Sequence, residues 1–243
     1  MRILLSGSSG VIGRHLVEMI SADETLTLAG TADQHGFFDP STNADAMIDF
    51  SHPDLTRRSL EFSAERGIPA VIGTTGLDNP CLEAIDQAAA RIPVCVAANF
   101  SLGVNLLLAL AGRAAAALGP EYEVEISEIH HRRKIDAPSG TALALGRTVA
   151  EARGLSLEKV RSDERSQRRV RRPTDEIGFQ AVRGGDVAGE HTVYFLADGE
   201  RLELTHRATD RSIFARGALL AAKKLRGRAP GRVDFASLLI DRC

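Results

Sequence analysis

Apolar positions follow two different rhythms along the chain. In the first hundred residues, short apolar runs alternate with helical patterns. "RILLSGSSGVIGRHLVEMI" opens with a strand over Ile3–Ser6 and passes through a glycine turn. It continues as a helix with Val11, Ile12, Leu16, Val17 and Ile20 on one side. "LTLAGTAD" predicts a second strand and "AMIDF" a third. A helix through Leu60 to Arg66 then leads to "PAVIGTTG", a fourth strand ending in a turn. "LEAIDQAAARI" is helical and "PVCVAANF" makes a fifth strand. Strand and helix in regular alternation predict an α/β fold with a doubly wound parallel sheet.

The rhythm changes after a helix predicted over Val104–Leu118, which is apolar almost all round and is therefore expected to be deeply buried. "YEVEISEIHH", "IGFQAVRGG", "EHTVYFLAD" and "RLELTHRA" alternate apolar and polar residues between polar or glycine turns. They predict a second, mostly antiparallel sheet. The charged stretch "SDERSQRRVRRPTDE" has no apolar period and reads as an exposed loop, with a solvated face favoured over a binding role. Beyond Arg211 a helix returns in "SIFARGALLAAKKL", followed by a short "RVDFASLLI" element. These last elements are expected to pack back on the first domain.

Composition removes several function classes. The 243 residues are 44% hydrophobic and 26% charged, with a formal net charge of −2, which gives no nonspecific attraction to nucleic acid or acidic membranes. No apolar run reaches a bilayer span, and the N-terminus reads as a strand rather than a signal peptide. Cys81, Cys95 and Cys243 are scattered without metal-ligand spacing, so no metal site is expected and a reduced, cytoplasmic protein with structural thiols is. With no Trp and two Tyr there is little to stack single-stranded nucleic acid.

Two places carry candidate chemistry. The spacing Gly7-x-x-Gly10-x-x-Gly13 lies between a strand and a helix. A dinucleotide pyrophosphate needs a tight turn, close backbone approach and unshared amides there. The alternative is a plain strand–turn–helix. Asp33 stands twenty residues beyond Gly13 at the end of the second strand, the interval expected of a carboxylate that binds the adenine ribose hydroxyls. It repels a 2′-phosphate, and Gln34 and His35 offer no arginine to offset it, so NADH is favoured over NADPH. "GTTG" (Gly73–Gly76) and "AANF" (Ala97–Phe100) follow strands and are placed to line the nicotinamide half, with "DFSHP" (Asp49–Pro53) along the same rim. Each is equally readable as turn chemistry.

The second place is "EIHHRRKIDAPSGTAL" (Glu128–Leu143). If the strand runs through the histidines, His130 shares a face with Val124 and Ile126 while His131 points the other way. Lys134 returns to the His130 face only if the chain stays extended. Ser139 is a candidate N-cap after Pro138, and Gly140 opens the helix where unshared amides make an anion site. A substrate carboxylate is the natural guest, with Lys134 as a second positive group and His130 as an acid or base near neutral pH. A polar surface turn before an ordinary helix start is the competing account.

The same stretch resembles the signature E-x-H-H-x-x-K-x-D-x-P-S-G-T-A of the 4-hydroxy-tetrahydrodipicolinate reductases (dihydrodipicolinate reductases). "GSSGVIG", "IDFSHP", "VIGTTG", "ANFSLGVN", "IGFQAVRGGDVAGEHTV" and "LELTHRATDRSIFARGAL" extend the likeness in order over most of the chain. The resemblance implies a Rossmann-type doubly wound domain from residues 1–100 and 212–243. An inserted α+β domain with a mostly antiparallel or mixed sheet, residues 101–211, would bind substrate and form a homotetramer. It further implies reduction of a cyclic imine dicarboxylate with hydride from NADH, preferred here, or NADPH, with loss of water, in lysine and diaminopimelate biosynthesis. By motif match His130 is the proton donor or acceptor and Lys134 a proton donor, while His131, Ser139, Gly140 and Thr141 hold the dicarboxylate. Gly7, Ser8, Ser9, Gly10, Val11, Ile12, Asp33, Gly73, Thr74, Thr75, Ala97, Ala98, Asn99 and Phe100 match cofactor-binding positions.

Two departures bear on the cofactor. Relatives often carry Arg where this chain has Val11 and where it has Gln34, which weakens the case for NADPH. The stretch "QHGFFDPSTNAD" barely accommodates a crossover helix, so the adenine side is expected to be more open. Two rival functions are another amino-acid pathway dehydrogenase of the same plan and a non-catalytic dinucleotide-sensing protein. The first leaves the His-His-x-x-Lys group unexplained, and the second predicts loss of His130 or Lys134, both of which are present.

Overall fold

The computed structural model describes residues 1–163, 165 and 169–240. The middle of the charged stretch, residues 164 and 166–168, and the end of the chain with Cys243 lie outside the described residues. In chain order the elements begin with β1 (Arg2–Ser6), α1 (Val11–Ala22), β2 (Thr27–Ala32) and β3 (Ala46–Asp49). Next come α2 (Pro53–Glu65), β4 (Ala70–Ile72), α3 (Asn79–Ala89), β5 (Pro93–Val96) and α4 (Leu102–Leu118). Then follow β6 (Glu123–His130), α5 (Gly140–Ala152), α6 (Leu157–Val160), β7 (Arg161–Ser162), β8 (Ile177–Arg183), β9 (Gly189–Ala197) and β10 (Glu200–Ala208). The chain ends with α7 (Ser212–Leu225), β11 (Gly231–Val233) and α8 (Phe235–Ile240). It divides into two compact units, one from Met1–Leu102 with the segment from Arg211 onward, the other Gly103–Asp210.

The first unit is built on a six-stranded sheet in the order β11-β5-β4-β3-β1-β2. Every neighbouring pair is parallel. Alternation along each strand feeds two cores. Ile3, Leu5, Ile48, Val71 and Cys95 face Leu16 and Ile20 of α1 and Ala218 and Leu225 of α7. Leu4, Met47, Ala70, Ile72 and Val94 face Leu60 of α2 and Ile85 of α3. Both faces are covered, which is why these strands read as unbroken apolar runs. β11 pairs with β5, and α7 packs against β3, β4 and β5, so the last elements complete this unit. No helix forms between β2 and β3; Phe37 and Phe38 instead close over Phe62 of α2.

The second unit holds a five-stranded sheet, β10-β9-β6-β8-β7. β10·β9 and β9·β6 are antiparallel, whereas β6·β8 and β8·β7 are parallel, so the sheet is evenly mixed rather than mostly antiparallel. Its core joins Val124, Ile126, Phe179, Val193 and Phe195 to Leu145 and Val149 of α5 and Leu107 and Ala111 of α4. Two expectations fail here. The apolar helix α4 is not buried all round: Val104, Leu107, Ala111 and Ala115 are buried, but Leu106 is 55% exposed and Leu110 42%. Spacing still selects one inward stripe; the outer leucines simply exceed what this fold covers. The charged stretch is also not uniformly a solvated loop. Ser162 lies in β7, Glu176 is buried, and Arg172 turns inward, donating to the Val124 carbonyl at 2.8 Å and to Glu125 Oε1 at 3.0 Å. A guanidinium that finds a carbonyl and a carboxylate at the start of the central strand β6 is held there despite its polarity. No helix among the described residues is long and apolar enough to cross a membrane.

Candidate active site

In the first unit the strand order reverses between β1 and β3, and ligands of such sheets bind beyond the carboxyl ends of the strands at that point. The glycine turn sits there under tight constraint. Gly7 has φ +84°, its amide donates to the Ala32 carbonyl at 2.7 Å, and a Cβ would fall 2.2 Å from the Phe50 carbonyl oxygen. A Cβ on Gly13 would fall 2.1 Å from the Gly7 carbonyl oxygen. Gly10 caps α1 without a side-chain hydrogen bond, which leaves the helix start open to an anion. Val11 is 47% exposed beside it, and Ile12 leans on the core.

Asp33 is held at both oxygens, by the Ser8 hydroxyl at 3.2 Å and the His35 amide at 2.8 Å. The hydrogen bond from the His35 amide, helped by Ser8, keeps its carboxyl below the ordinary range, so it is ionised at neutral pH. Ser8, Ser9, Arg14, Leu28, Thr31 and Asp33 line a surface hollow of about 390 Å³. A carboxylate anchored at the rim of a hollow beside a glycine turn fits the adenosine half of a dinucleotide. Arg14 was no part of the sequence-based set; its guanidinium donates to the Ser9 carbonyl at 3.1 Å.

The other cofactor candidates divide by burial. Gly73 accommodates the Phe50 ring, 2.3 Å from where a Cβ would be. Thr74 turns its hydroxyl inward, donating to Asp49 Oδ2 at 2.8 Å and accepting from the Ser51 amide at 2.9 Å. Phe100 is 1% exposed and packs on Phe50 and Phe235. The side chains of Thr74 and Phe100 therefore support the loops from inside, and only their backbones are left for a ligand. Thr75 and Ala98 are exposed, Ala97 is half-buried, and Asn99 Oδ1 accepts from the Ser101 amide at 2.8 Å.

In the second unit, β6 carries candidate residues on its inward face. Val124, Ile126, Glu128 and His130 alternate as buried positions, so His130 does share the face expected of it. The chain does not stay extended beyond it. β6 ends at His130, the His131 amide donates to the Val187 carbonyl at 2.8 Å, and the Lys134 amide closes a turn on the His131 carbonyl at 3.1 Å. Lys134 thus approaches His130 through a turn rather than by strand alternation, with its ammonium bonded to both Asp136 oxygens at 2.8 and 2.9 Å.

His130 Nδ1 lies 2.5 Å from Glu128 Oε2. Arg183 grips the same carboxylate with two hydrogen bonds of 2.7 Å, and the Ser139 amide donates to Oε1 at 3.1 Å. Ser139 caps α5 by accepting from the Ala142 amide, and its hydroxyl meets His191 Nε2 at 2.9 Å. The His130 and His191 rings stand edge to face, 5.1 Å apart. Gly140 is exposed, no described residue beyond its neighbours and its own helix backbone comes within 4 Å of where its Cβ would be, and Thr141 follows it in the first turn of α5. Burial raises the Glu128 carboxyl, but Arg183 and His130 outweigh this and hold it low. Burial also lowers His130, against the opposing pull of Glu128 and with Lys134 and Arg183 pushing the same way as burial. His191 is brought down to about 4, chiefly by burial. Three members of this cluster escaped sequence reading: Glu128, Arg183 and His191. Glu128 and His191 carried a signal, because each falls on an inward strand position beside apolar neighbours. Arg183 carried none, since it follows the exposed Gln180, Ala181 and Val182 and reaches the cluster only through the pairing of β8 with β6.

Residues 1–100 match the model of the N-terminus of dihydrodipicolinate reductase, and residues 103–239 match that of its C-terminus. The chain belongs to the dihydrodipicolinate reductase family. Among curated relatives, the 4-hydroxy-tetrahydrodipicolinate reductase of Thiobacillus denitrificans is 43% identical across 98% of this chain and 98% of its own. That of Zymomonas mobilis subsp. mobilis is 45% identical across 98% and 97%. A dipicolinate-bound dihydrodipicolinate reductase from Paenisporosarcina sp. TG-14 superposes with a TM-score of 0.77 over 96% of this chain and 97% of that one, at 23% identity, which speaks to the fold. As a member of the dihydrodipicolinate reductase family, the chain is an oxidoreductase that works with a nicotinamide dinucleotide.

Proposed function

We propose that this protein reduces 4-hydroxy-tetrahydrodipicolinate to tetrahydrodipicolinate in lysine and diaminopimelate biosynthesis. One NAD(P)H and one proton are consumed, and one water and NAD(P)+ are released. The observation that carries the reading is the pairing, within one unit, of the Glu128–His130 hydrogen bond with the Ser139-capped start of α5. It supplies an imidazole of fixed orientation beside an anion-accepting helix end, and the family relationship supplies the reaction.

The unit from Met1–Leu102 with the segment from Arg211 binds the cofactor, and Gly103–Asp210 binds substrate. Gly7 to Ile12 take the pyrophosphate at the start of α1, and Asp33 takes the adenine ribose. Backbone groups of Gly73, Thr74, Thr75 and Ala97 to Phe100 line the nicotinamide side. Reduced nicotinamide supplies hydride when bound. One substrate carboxylate sits on the first turn of α5 at Ser139, Gly140 and Thr141, and His131 with Lys134 takes the other. With Nδ1–H directed at Glu128, a neutral His130 keeps a lone pair on Nε2, and His130 and Lys134 together handle the proton. NADH is preferred over NADPH, because ionised Asp33 repels a 2′-phosphate and Val11 and Gln34 do not offset it. The protein assembles as a homotetramer, a reading supported by the exposed Leu106, Leu110, Val182 and Leu202 of the substrate unit.

The deciding assay follows NADH and NADPH oxidation with the condensation product of pyruvate and aspartate semialdehyde made in situ. Rapid oxidation with NADH ahead is expected. NADPH ahead would overturn the cofactor reading alone, and silence with both, from folded protein, would overturn the function. His130→Gln should lower turnover far more than it weakens NADH binding.

A further inference from the structure

Among the described acidic side chains of its unit, Glu128 stands apart in being 1% exposed with both oxygens committed. Four donors converge on it from three segments: His130 Nδ1 of its own strand, both terminal nitrogens of Arg183 on β8, and the Ser139 amide at the start of α5. Arg183 is itself pinned, donating also to the Asp136 and Val182 carbonyls at 2.6 and 2.8 Å. A buried carboxylate so held cannot rotate away from the imidazole. Resting on the reductase reading above, we infer that Glu128 is a positioning residue for His130: it fixes the Nδ1–H tautomer, leaves Nε2 as the atom that faces substrate, and stabilises the imidazolium whenever Nε2 takes a proton.

The chemistry follows from hydrogen-bond inventory. An ionised carboxylate only accepts, so the nitrogen 2.5 Å from it must carry hydrogen, and a neutral imidazole has only one N–H to place. Other groups around His130 do not compete for this task. His191 approaches edge-on from β9 with its Nε2 already engaged to the Ser139 hydroxyl. Lys134 and Arg183 are cations that act against an imidazolium, and Asp136 is bonded to Lys134. Glu128 is therefore the group that favours a proton on this ring.

A purely structural Glu128, tying β6, β8 and the start of α5 together, would predict different behaviour. The test uses the full-length protein and the variants Glu128→Gln and Glu128→Asp. Nitrogen NMR on ¹⁵N-histidine-labelled protein, with His130→Gln identifying the His130 signals, should show the Nδ1–H form in the ligand-free wild type. It should show loss of that single form in Glu128→Gln, whose amide can donate to Nδ1 as well as accept. Turnover of Glu128→Gln should fall about 10- to 100-fold, the range for removing a group that orients a functional histidine. The Michaelis constant for NADH should be unchanged, and the His130 ionisation should move to lower pH. Glu128→Asp, which keeps the charge, should recover part of the turnover. A Glu128→Gln enzyme with wild-type turnover and pH profile, or a wild-type His130 in the Nε2–H form, would overturn the inference. The NMR arm needs no substrate. An inactive wild type with an Nδ1–H His130 would therefore sink the proposed reaction and not the positioning role.

Discussion

Replacing Gly13 by alanine puts one methyl group into a place with no room. Its Cβ would lie 2.1 Å from the Gly7 carbonyl oxygen, 2.8 Å from Ser8 Cα and 2.9 Å from the Gly7 carbonyl carbon, all backbone atoms. Comfortable carbon contacts lie at about 3.5–4.0 Å, so roughly an ångström or more must open between α1 and the turn. The turn cannot yield. Gly7 is tied to Ala32 by a 2.7 Å hydrogen bond, and its own Cβ position is already within 2.2 Å of the Phe50 carbonyl oxygen. The helix must move instead, which pulls the fully buried Leu16 and Ile20 against the sheet. Overpacking costs about 1–3 kcal/mol where side chains can adjust, and a backbone clash belongs at the upper end. At about 2–4 °C per kcal/mol for a protein of this size, a loss of about 3 kcal/mol lowers Tm by about 6–12 °C. Gly10→Ala is the matched control. Its Cβ meets the Gly7 carbonyl oxygen at 3.3 Å and the Phe50 carbonyl oxygen at an ordinary 3.9 Å, and its φ of −72° suits alanine, so Tm should fall by less than about 4 °C. Binding is read by NADH fluorescence, in a protein that has no Trp to interfere. If the turn cradles the pyrophosphate, both variants lose about tenfold or more in NADH affinity, but only Gly13→Ala loses the fold's stability. A Gly13→Ala protein that melts and binds NADH like the wild type would refute the packing argument.

Three further outcomes are expected. His191 is held neutral, down from 6.5 to about 4, so its contribution is full above pH 6.5 and is lost as pH falls from 6.5 towards 4, up to about 3 kcal/mol in all. Urea midpoints at pH 7 and 4.5 should converge for His191→Gln relative to wild type, and parallel changes in both would argue that another group titrates. Arg172→Ala removes donors from the Val124 carbonyl and Glu125 and should cost about 2–4 kcal/mol in chemical denaturation; a loss under about 0.5 kcal/mol would return that residue to the solvated loop. Asp33→Ala should raise the Michaelis constant for NADH several-fold while leaving that for NADPH the same or lower, and equal losses for both would remove Asp33 as the discriminating group.

The first unit was legible in sequence because its patterns are local. Short apolar strands buried on both faces, glycines at a turn and an acid after the second strand each announce themselves within a few residues, even though their contacts are distant, as Gly7 to Ala32 and Asp33 to Ser8 show. The return of α7 and β11 followed from their apolar patterning. What stayed hidden depends on contacts made by distant parts of the chain. Arg172 looked like one more charge in a basic run until β6 supplied a carbonyl and a carboxylate for it. Leu106 and Leu110 carry no mark that separates them from Leu107, since an apolar stripe tells which residues are able to bury and not how many the fold will cover.

The candidate site shows the same boundary from the other side. Motif reading finds residues whose types are chemically unusual together, such as paired histidines near a lysine, and so it reached His130 and Lys134. It passes over Glu128, an ordinary acid two positions earlier. Yet the alternation that places Val124 and Ile126 in the core also places Glu128 and His130 there, on one inward face of β6. A carboxylate in that position is costly unless partners meet it, and parallel pairing with β8 sets Arg183 level with His130 to do so. The ionic contact is thus part of the fold's own register: shift β6 by one residue and the apolar pair, the acid and the imidazole all leave the interior together. Stability and the proposed chemistry share that strand, so substitutions at Glu128 must be judged by tautomer and turnover as well as by melting.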